Sequence, residues 1–249
     1  NILNGMTGLS SLGQAGFMSV GAYCSAMLTT NFLNVSGMSP VMQVVVFLVA
    51  TLFGAAMSAI CGLLIGIPAL RLRGDYLAIV TLGFCEVIRA IWRVVPSGIA
   101  GGAFGLTGIP KLANFFWVFL FTLLAIYFCR NYMDSSYGRA CLAIRDNEIA
   151  ADAMGINCFR YKAIAFASSA FIAGVAGSLY AHLLSYIHPD VFSYAKSSDF
   201  LVYLYAGGVG SISGAMLGAL TLTILPELLR FLNDWRLVIY GALLLCIIL

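Results

Sequence analysis

Long apolar runs, broken by glycine, proline and short polar clusters, set the organisation of this chain. A glycine-rich opening at 4–16 leads into an apolar run at about 15–33. Pro40 opens a second run, 41–67, which closes at Pro68, and others follow at 76–92, 112–129 and 163–184. The stretch 200–229 is long enough to cross a bilayer but is interrupted by Gly207, Gly208 and Gly210, and a last run begins at Leu237. About 20 apolar residues, rising about 1.5 Å each, traverse roughly 30 Å of hydrocarbon. Barrel-type alternation is absent, and backbone facing lipid must bond to itself, so each run is expected to be a helix. The fold class expected is all-α, a polytopic membrane helical bundle with discontinuous helices, forming a single domain over 1–249.

Composition sharpens this picture. The 249 residues are 61% hydrophobic and 9% charged, whereas soluble domains are about one-quarter charged. A soluble enzyme, a nucleic-acid binder and a disordered chain are excluded on that ground. No charge precedes Arg71. Alternating the runs across a bilayer places Arg71, Arg73, Arg130, Arg139, Arg145, Arg160, Lys162, Arg230 and Arg236 on one side, and Arg89, Arg93, Lys111 and Lys196 on the other. The richer side is expected to be cytoplasmic, leaving loops 34–40, 93–111 and 186–199 outside. The chain opens on Asn and stops within an apolar run, with no signal-peptide pattern, so a further span is expected beyond one or both ends.

Enzyme and metal signatures are missing. The seven cysteines form no Cys-x-x-Cys and no ligand spacing, and cysteines within apolar runs read as small hydrophobes. There is no phosphate-binding Gly-x-x-x-x-Gly-Lys-[Ser/Thr]. No catalytic residue, metal or cofactor is assigned to the chain. Gly-x-x-x-Gly pairs at 62/66, 98/102, 101/105, 210/214 and 214/218 point to close helix packing inside the bundle. Gly8, Ser11 and Ala15 recur 200 positions later as Gly208, Ser211 and Ala215, too few matches in a glycine-rich background to establish a repeat.

Segment 130–162 stands apart: it is the only long stretch that could fold in water, and it falls on the cytoplasmic side. Within it, Asp146 or Asn147 is a good N-cap, Glu148 sits in the first turn, and Gly155 suits a left-handed C-terminal position. A two-turn helix over about 148–154 is expected. Ile149 and Ala153 share an apolar face with Met154 beside them, while Glu148 and Asp152 form a like-charge edge without a partner. Such a helix reads equally as an element that docks into another protein or as one lying on its own surface.

These residues carry a resemblance. Ala150-Ala151-x-x-x-Gly155 in a cytoplasmic loop is similar to the Glu-Ala-Ala-x-x-x-Gly loop of ABC importer permeases, with Ile149 at the Glu position and Glu148 one residue earlier. Thr7-Gly-Leu-Ser-Ser-Leu-Gly-Gln-Ala-Gly-Phe17, Arg71-Leu-Arg-Gly-Asp-Tyr-Leu-Ala-Ile-Val-Thr-Leu82, Gly105-Leu-Thr-Gly-Ile-Pro110, Tyr137-Gly-Arg-Ala140 and Gly207-Gly-Val-Gly-Ser211 with Pro226-Glu-Leu-Leu-Arg230 resemble the branched-chain amino acid permeases. Their order and spacing match the M-type subunit over nearly the whole chain. The resemblance implies a bacterial inner-membrane permease subunit that pairs with a second homologous permease. It also implies two cytoplasmic ATPases, which bind the ATP and Mg, and an extracytoplasmic substrate-binding protein. Glu148, Ala150, Ala151, Asp152, Met154 and Gly155 would form the ATPase-coupling interface. The breaks containing Gly8, Ser11, Gly13 and Gly16, and Gly207, Gly208, Gly210 and Ser211, are candidates for the translocation path and gate. Importers of urea or short amides use similar permeases, and a self-sufficient secondary carrier is the alternative from another class.

Three further features have structural and functional readings. Glu86 and Arg89, one helical turn apart near the outer end of the third run, could meet a zwitterion or neutralise each other, and the second reading is preferred. His182 has no acid within a turn and reads as a packing histidine. Phe115, Phe116 and Trp117 read as an interfacial aromatic belt rather than a substrate cage.

Overall fold

The computed structural model describes residues 1–32, 39–72 and 74–228. The expected run from Leu237, Arg73, Arg230, Arg236 and most of loop 34–40 lie outside the described residues. The long helices are α1 (Gln14–Met27), α2 (Pro40–Ala69), α3 (Asp75–Val94), α5 (Phe115–Asp134), α8 (Cys158–Leu184), α9 (Tyr194–Gly207) and α10 (Ile212–Leu228). Between them lie the short α4 (Ser97–Ala100), α6 (Ser136–Asp146) and α7 (Glu148–Ala153). A π-helical turn, Ile2–Met6, precedes α1.

Local chemistry sets the boundaries. Pro40 opens α2 at a position where its missing N–H is no loss. The α5 helix starts at Phe115, later than the apolar run, after Pro110 and with Asn114 extended at its N-cap. The α8 helix starts earlier than its run, because the Asn157 side chain accepts the Arg160 N–H at 3.0 Å. Arg160 and Lys162 therefore ride on the first turns of a long helix, where such side chains reach the interface.

The core is built around α1, which packs between α2, α3 and α8. Small residues allow backbone to meet backbone: Gly21 of α1 abuts Gly174 of α8, and a Cβ on Gly54 of α2 would lie 2.6 Å from the Gly21 carbonyl oxygen. Ser58 Oγ lies 2.9 Å from the Phe17 carbonyl and 2.7 Å from that of Ala170, linking all three helices. Phe17 and Phe166 meet edge to face at 5.5 Å. His182 is fully buried, with Nδ1 2.8 Å from the Ser178 carbonyl and Nε2 3.2 Å from Thr29 Oγ1. It is a satisfied packing residue.

The outside is apolar. No residue of α5 is buried, and Phe115, Phe116, Phe119, Leu123, Leu124 and Phe128 face outward. A row on α2 from Val41 to Leu64 does the same. Trp117 turns inward instead, 5.6 Å from Phe47, so the aromatic opening of α5 is part belt and part core. The helices α2, α5 and α8 are long and apolar enough to cross a membrane. A surface with so much exposed hydrocarbon is that of an all-α membrane bundle.

The two ends of the bundle separate as the alternation requires. At one end the two-residue strands β1 (Leu106–Thr107) and β2 (Tyr186–Ile187) pair antiparallel, and Asn31 Nδ2 donates to the Ile99 carbonyl at 3.2 Å. At the other end Thr7–Leu9, Leu70–Leu72 and Ile144–Ile149 line a common cleft with Lys162.

The stretch 200–229 departs from expectation. It is not one interrupted crossing but an antiparallel hairpin, in which Gly207 abuts Gly214 and a Cβ on Gly218 would lie 2.6 Å from the Tyr203 carbonyl oxygen. A broken apolar run carries no information about whether the chain reverses at the break, and these glycines permit reversal by letting two backbones touch. Since α10 leads back toward the end where α9 begins, the side assigned to Arg230 no longer follows from alternation. Among the described residues the basic excess stays with the α7 end: Arg71, Arg130, Arg139, Arg145, Arg160 and Lys162 against Arg89, Arg93, Lys111 and Lys196.

Candidate functional site

The helix α7 forms where its caps require. Asn147 Oδ1 accepts the Ala150 N–H at 3.0 Å, and Gly155, at φ +84°, closes the far end. A left-handed residue there frees the chain to turn into α8. Of the sequence-defined coupling residues, Ala151 is anchored, 3% exposed, against Ile144 and Cys158. Glu148, Ala150, Asp152, Met154 and Gly155 are exposed. Ile149 is 80% exposed and Met154 83%. A helix of this length has little intrinsic stability, and it leaves its two largest apolar side chains uncovered.

One expectation for this helix is corrected. Its acidic edge is not without a partner: Lys162 Nζ, on α8, lies 2.7 Å from Glu148 Oε1. The sequence gives no sign of this, because the two residues meet only through the turn at 154–157. Asp152 makes no ion pair among the described residues.

The glycine breaks divide by role. Gly13 and Gly16 face α3: a Cβ on Gly13 would lie 3.1 Å from the Thr81 carbonyl oxygen, and one on Gly16 3.1 Å from Cys85 Cα. Gly8 (φ +66°), Gly208 (φ +94°) and Gly210 (φ +88°) instead turn the chain. Ser211 Oγ accepts the Gly214 N–H at 3.0 Å and so caps α10.

Ser11 lines a cavity of about 270 Å³ between α1, α8 and α9, with Gln14, Met18, Ser169, Ala173, Ser197, Leu201 and Leu204 among its walls. Most of its polar side chains are engaged by neighbouring groups of the bundle. Gln14 Nε2 donates to Ser169 Oγ at 2.9 Å, and Ser197 Oγ accepts the Ala15 N–H at 3.0 Å. Among the described residues no acidic or basic side chain lines it. Gln14, Ser169 and Ser197 had only a weak signal in the sequence, as isolated polar residues in apolar runs. Among the described residues, no three His, Cys, Asp or Glu side chains are placed to hold a metal.

At the opposite end, Arg89 Nη1 and Glu86 Oε2 are 2.9 Å apart, the self-neutralising pair. The pair is larger than the sequence indicated. Arg89 Nε lies 3.4 Å from Asp190 Oδ1, Arg93 also bonds Asp190, and Glu86 Oε1 accepts the Tyr194 N–H at 3.0 Å. Asp190 is held below the usual carboxylate range chiefly by its hydrogen bond from Arg93, with His188 and Arg89 adding to it. This network fastens the outer end of α3 to the 188–194 segment.

A family model described as the branched-chain amino acid transport system / permease component matches residues 1–248. The chain belongs to this family. The permease is 33% identical to the high-affinity branched-chain amino acid transport system permease protein LivM of Salmonella typhimurium and, equally, to that of Escherichia coli. Each alignment covers 98% of this chain and 62% of the relative, so the chain spans under two thirds of their length. It is also 35% identical to the permease protein LivH of Escherichia coli, over 48% of this chain and 38% of LivH. No solved structure matches the chain with significance. The permease is thus a multi-pass membrane protein.

Proposed function

We propose that this permease is the transmembrane subunit of an ATP-driven importer of branched-chain amino acids in the bacterial cytoplasmic membrane. The observation that carries this reading is α7: a capped helix at the basic end of the bundle, with Ile149 and Met154 uncovered. Burying two large apolar side chains is worth about 1.5–3 kcal/mol each, which suits a seat in a groove of a cytoplasmic ATPase. Two such ATPases would hold the ATP and Mg, and this chain would bind no cofactor. A second, homologous permease would complete the pathway, and an extracytoplasmic binding protein would deliver substrate. LivM and LivH are both named as permease proteins of a high-affinity branched-chain amino acid transport system.

In this reading, ATP-driven movement of the ATPases displaces α7, and the rigid bundle built on α1, α2 and α8 rocks as a unit. The cavity beside α1 has largely apolar walls and, among the described residues, no charged side chain, and it is slightly smaller than usual small-molecule sites of about 300–1,000 Å³. It would pass a small aliphatic side chain without binding it tightly. Selection of the substrate would rest with the binding protein.

Reconstitution of the permease with its co-purifying subunits in liposomes tests this. Leucine, isoleucine and valine should accumulate when binding protein and ATP are supplied, and should still do so with ionophores present. Accumulation of urea or a short amide instead would replace the substrate. Uptake without ATP and abolished by ionophores would replace the importer with a secondary carrier.

A further inference from the structure

Arg145 occupies the last turn of α6, two residues before the Asn147 cap of α7. Its side chain leaves α7 and reaches back into the bundle. Nη1 donates to the Gly5 carbonyl at 3.2 Å, while Nε and Nη2 donate to Asp146 Oδ1 at 3.2 and 3.1 Å. Its stem closes on the first glycine break, for a Cβ on Gly8 would lie 2.7 Å from Arg145 Cγ. Its head meets the second break, for a Cβ on Gly210 would lie 3.3 Å from Nη1. The two breaks also touch directly. A Cβ on Gly5 would lie 3.0 Å from the Gly210 nitrogen, and Asn1 Nδ2 donates to the Ser211 carbonyl at 2.9 Å.

One guanidinium therefore bonds the Gly5 carbonyl and lies beside the turn at Gly210, about 200 residues away in sequence, from a position two peptide units before the Asn147 cap of α7. We infer that Arg145 is the positioning residue through which displacement of α7 reaches the paired breaks at Gly5–Gly8 and Gly208–Ser211, the hinge of the cytoplasmic gate. The chemistry suits the task. A guanidinium is planar, carries five donors and remains charged, so it can brace on Asp146 while holding a backbone carbonyl. Glycine at 8 and 210 leaves room for it and lets each backbone pivot around it. Coupling through a packed, hydrogen-bonded chain of this kind requires no contact between Arg145 and either ATP or substrate.

The inference rests on the importer reading, and the test separates the two. The full complex is purified with Arg145→Gln, with Arg145→Lys, and as wild type. Each is reconstituted, and ATP hydrolysed per leucine accumulated is measured. The Gln variant should still co-purify with the ATPases, while uptake falls about tenfold and the ATP:leucine ratio rises in step. The Lys variant, which keeps the charge and one donor toward Gly5 but not the two-sided brace, should fall between. A wild-type ratio in the Gln variant would overturn the inference, as would a wild-type ratio in the Lys variant should the Gln variant fail to assemble. Absence of ATPases from the wild-type preparation would overturn the importer reading and this inference with it.

Discussion

Lys162 Nζ lies 2.7 Å from Glu148 Oε1, an ion pair that ties the first residue of α7 to the second turn of α8. Its two ends are unlike: the Lys162 side chain is 10% exposed and that of Glu148 45%. Removing the carboxylate leaves an ammonium with little access to water, whereas removing the ammonium leaves a carboxylate that rehydrates readily. Glu148→Gln should therefore destabilise the purified permease more than Lys162→Met, by about 1 kcal/mol after allowance for solvent screening. Thermal melting in detergent checks the order of the two variants.

Because Glu148 is engaged with α8, Asp152 is the acid of α7 left to face a partner. Asp152→Lys should lower ATP-dependent uptake about tenfold by reversing a charge at the interface rim. Permease levels in the membrane should stay unchanged. Uptake assays beside membrane immunoblots decide it. Unaltered uptake would place Asp152 outside the interface.

Helix existence in this permease was legible in the apolar runs, because crossing a membrane needs a length of apolar sequence and little else. The α7 helix was legible for a different reason: its caps, Asn147 and Gly155, are local. What no local pattern carries is tertiary. The reversal at Gly208–Gly210, the Lys162 partner of Glu148 and the reach of Arg145 all join residues whose proximity no spacing encodes. Asp190 had a faint signal, as an acid in an outer loop on the same side as Arg89 and Arg93. Only Glu86 meets the one-turn spacing from Arg89, so spacing marks that pair and not the wider network.

The glycines make a contrast that separates packing from hinge. Gly83, within α3, has nothing within 4 Å of an added Cβ, whereas Gly21 abuts the Gly174 backbone. Gly83→Ala should be neutral or stabilising by about 0.5–1 kcal/mol. Gly21→Ala should prevent recovery of folded protein, since α1 and α8 must separate to admit the methyl group. Replacing Gly208 and Gly210 together with Leu forces side chains onto left-handed backbone, at about 1–2 kcal/mol each. That variant should assemble with its partners yet fail to transport, and fluorescence size-exclusion profiles with uptake rates distinguish the three.

At the outer end, Asp190 has its carboxyl pKa lowered chiefly by the Arg93 hydrogen bond. A carboxylate with a lowered folded-state pKa contributes stability that is present above the usual value, about 3.9, and lost as pH falls through the lowered one. Protection of the 188–194 amides, taken relative to their intrinsic exchange rate at each pH, should therefore be high at neutral pH and fall only once the pH drops below about 4. Asp190→Asn should remove that dependence and give low protection throughout. Unchanged protection below about pH 4 would contradict this.

In the importer reading, α7 seats the ATPase. Ile149→Asp with Met154→Asp adds charge to its two uncovered apolar side chains and touches nothing in the core. The complex is extracted in mild detergent from its own membranes, and the ATPases recovered per permease are quantified for wild type and variant. The expected result is ATPases with the wild type, and the second permease without ATPases for the variant. Equal recovery of ATPases with both would contradict it.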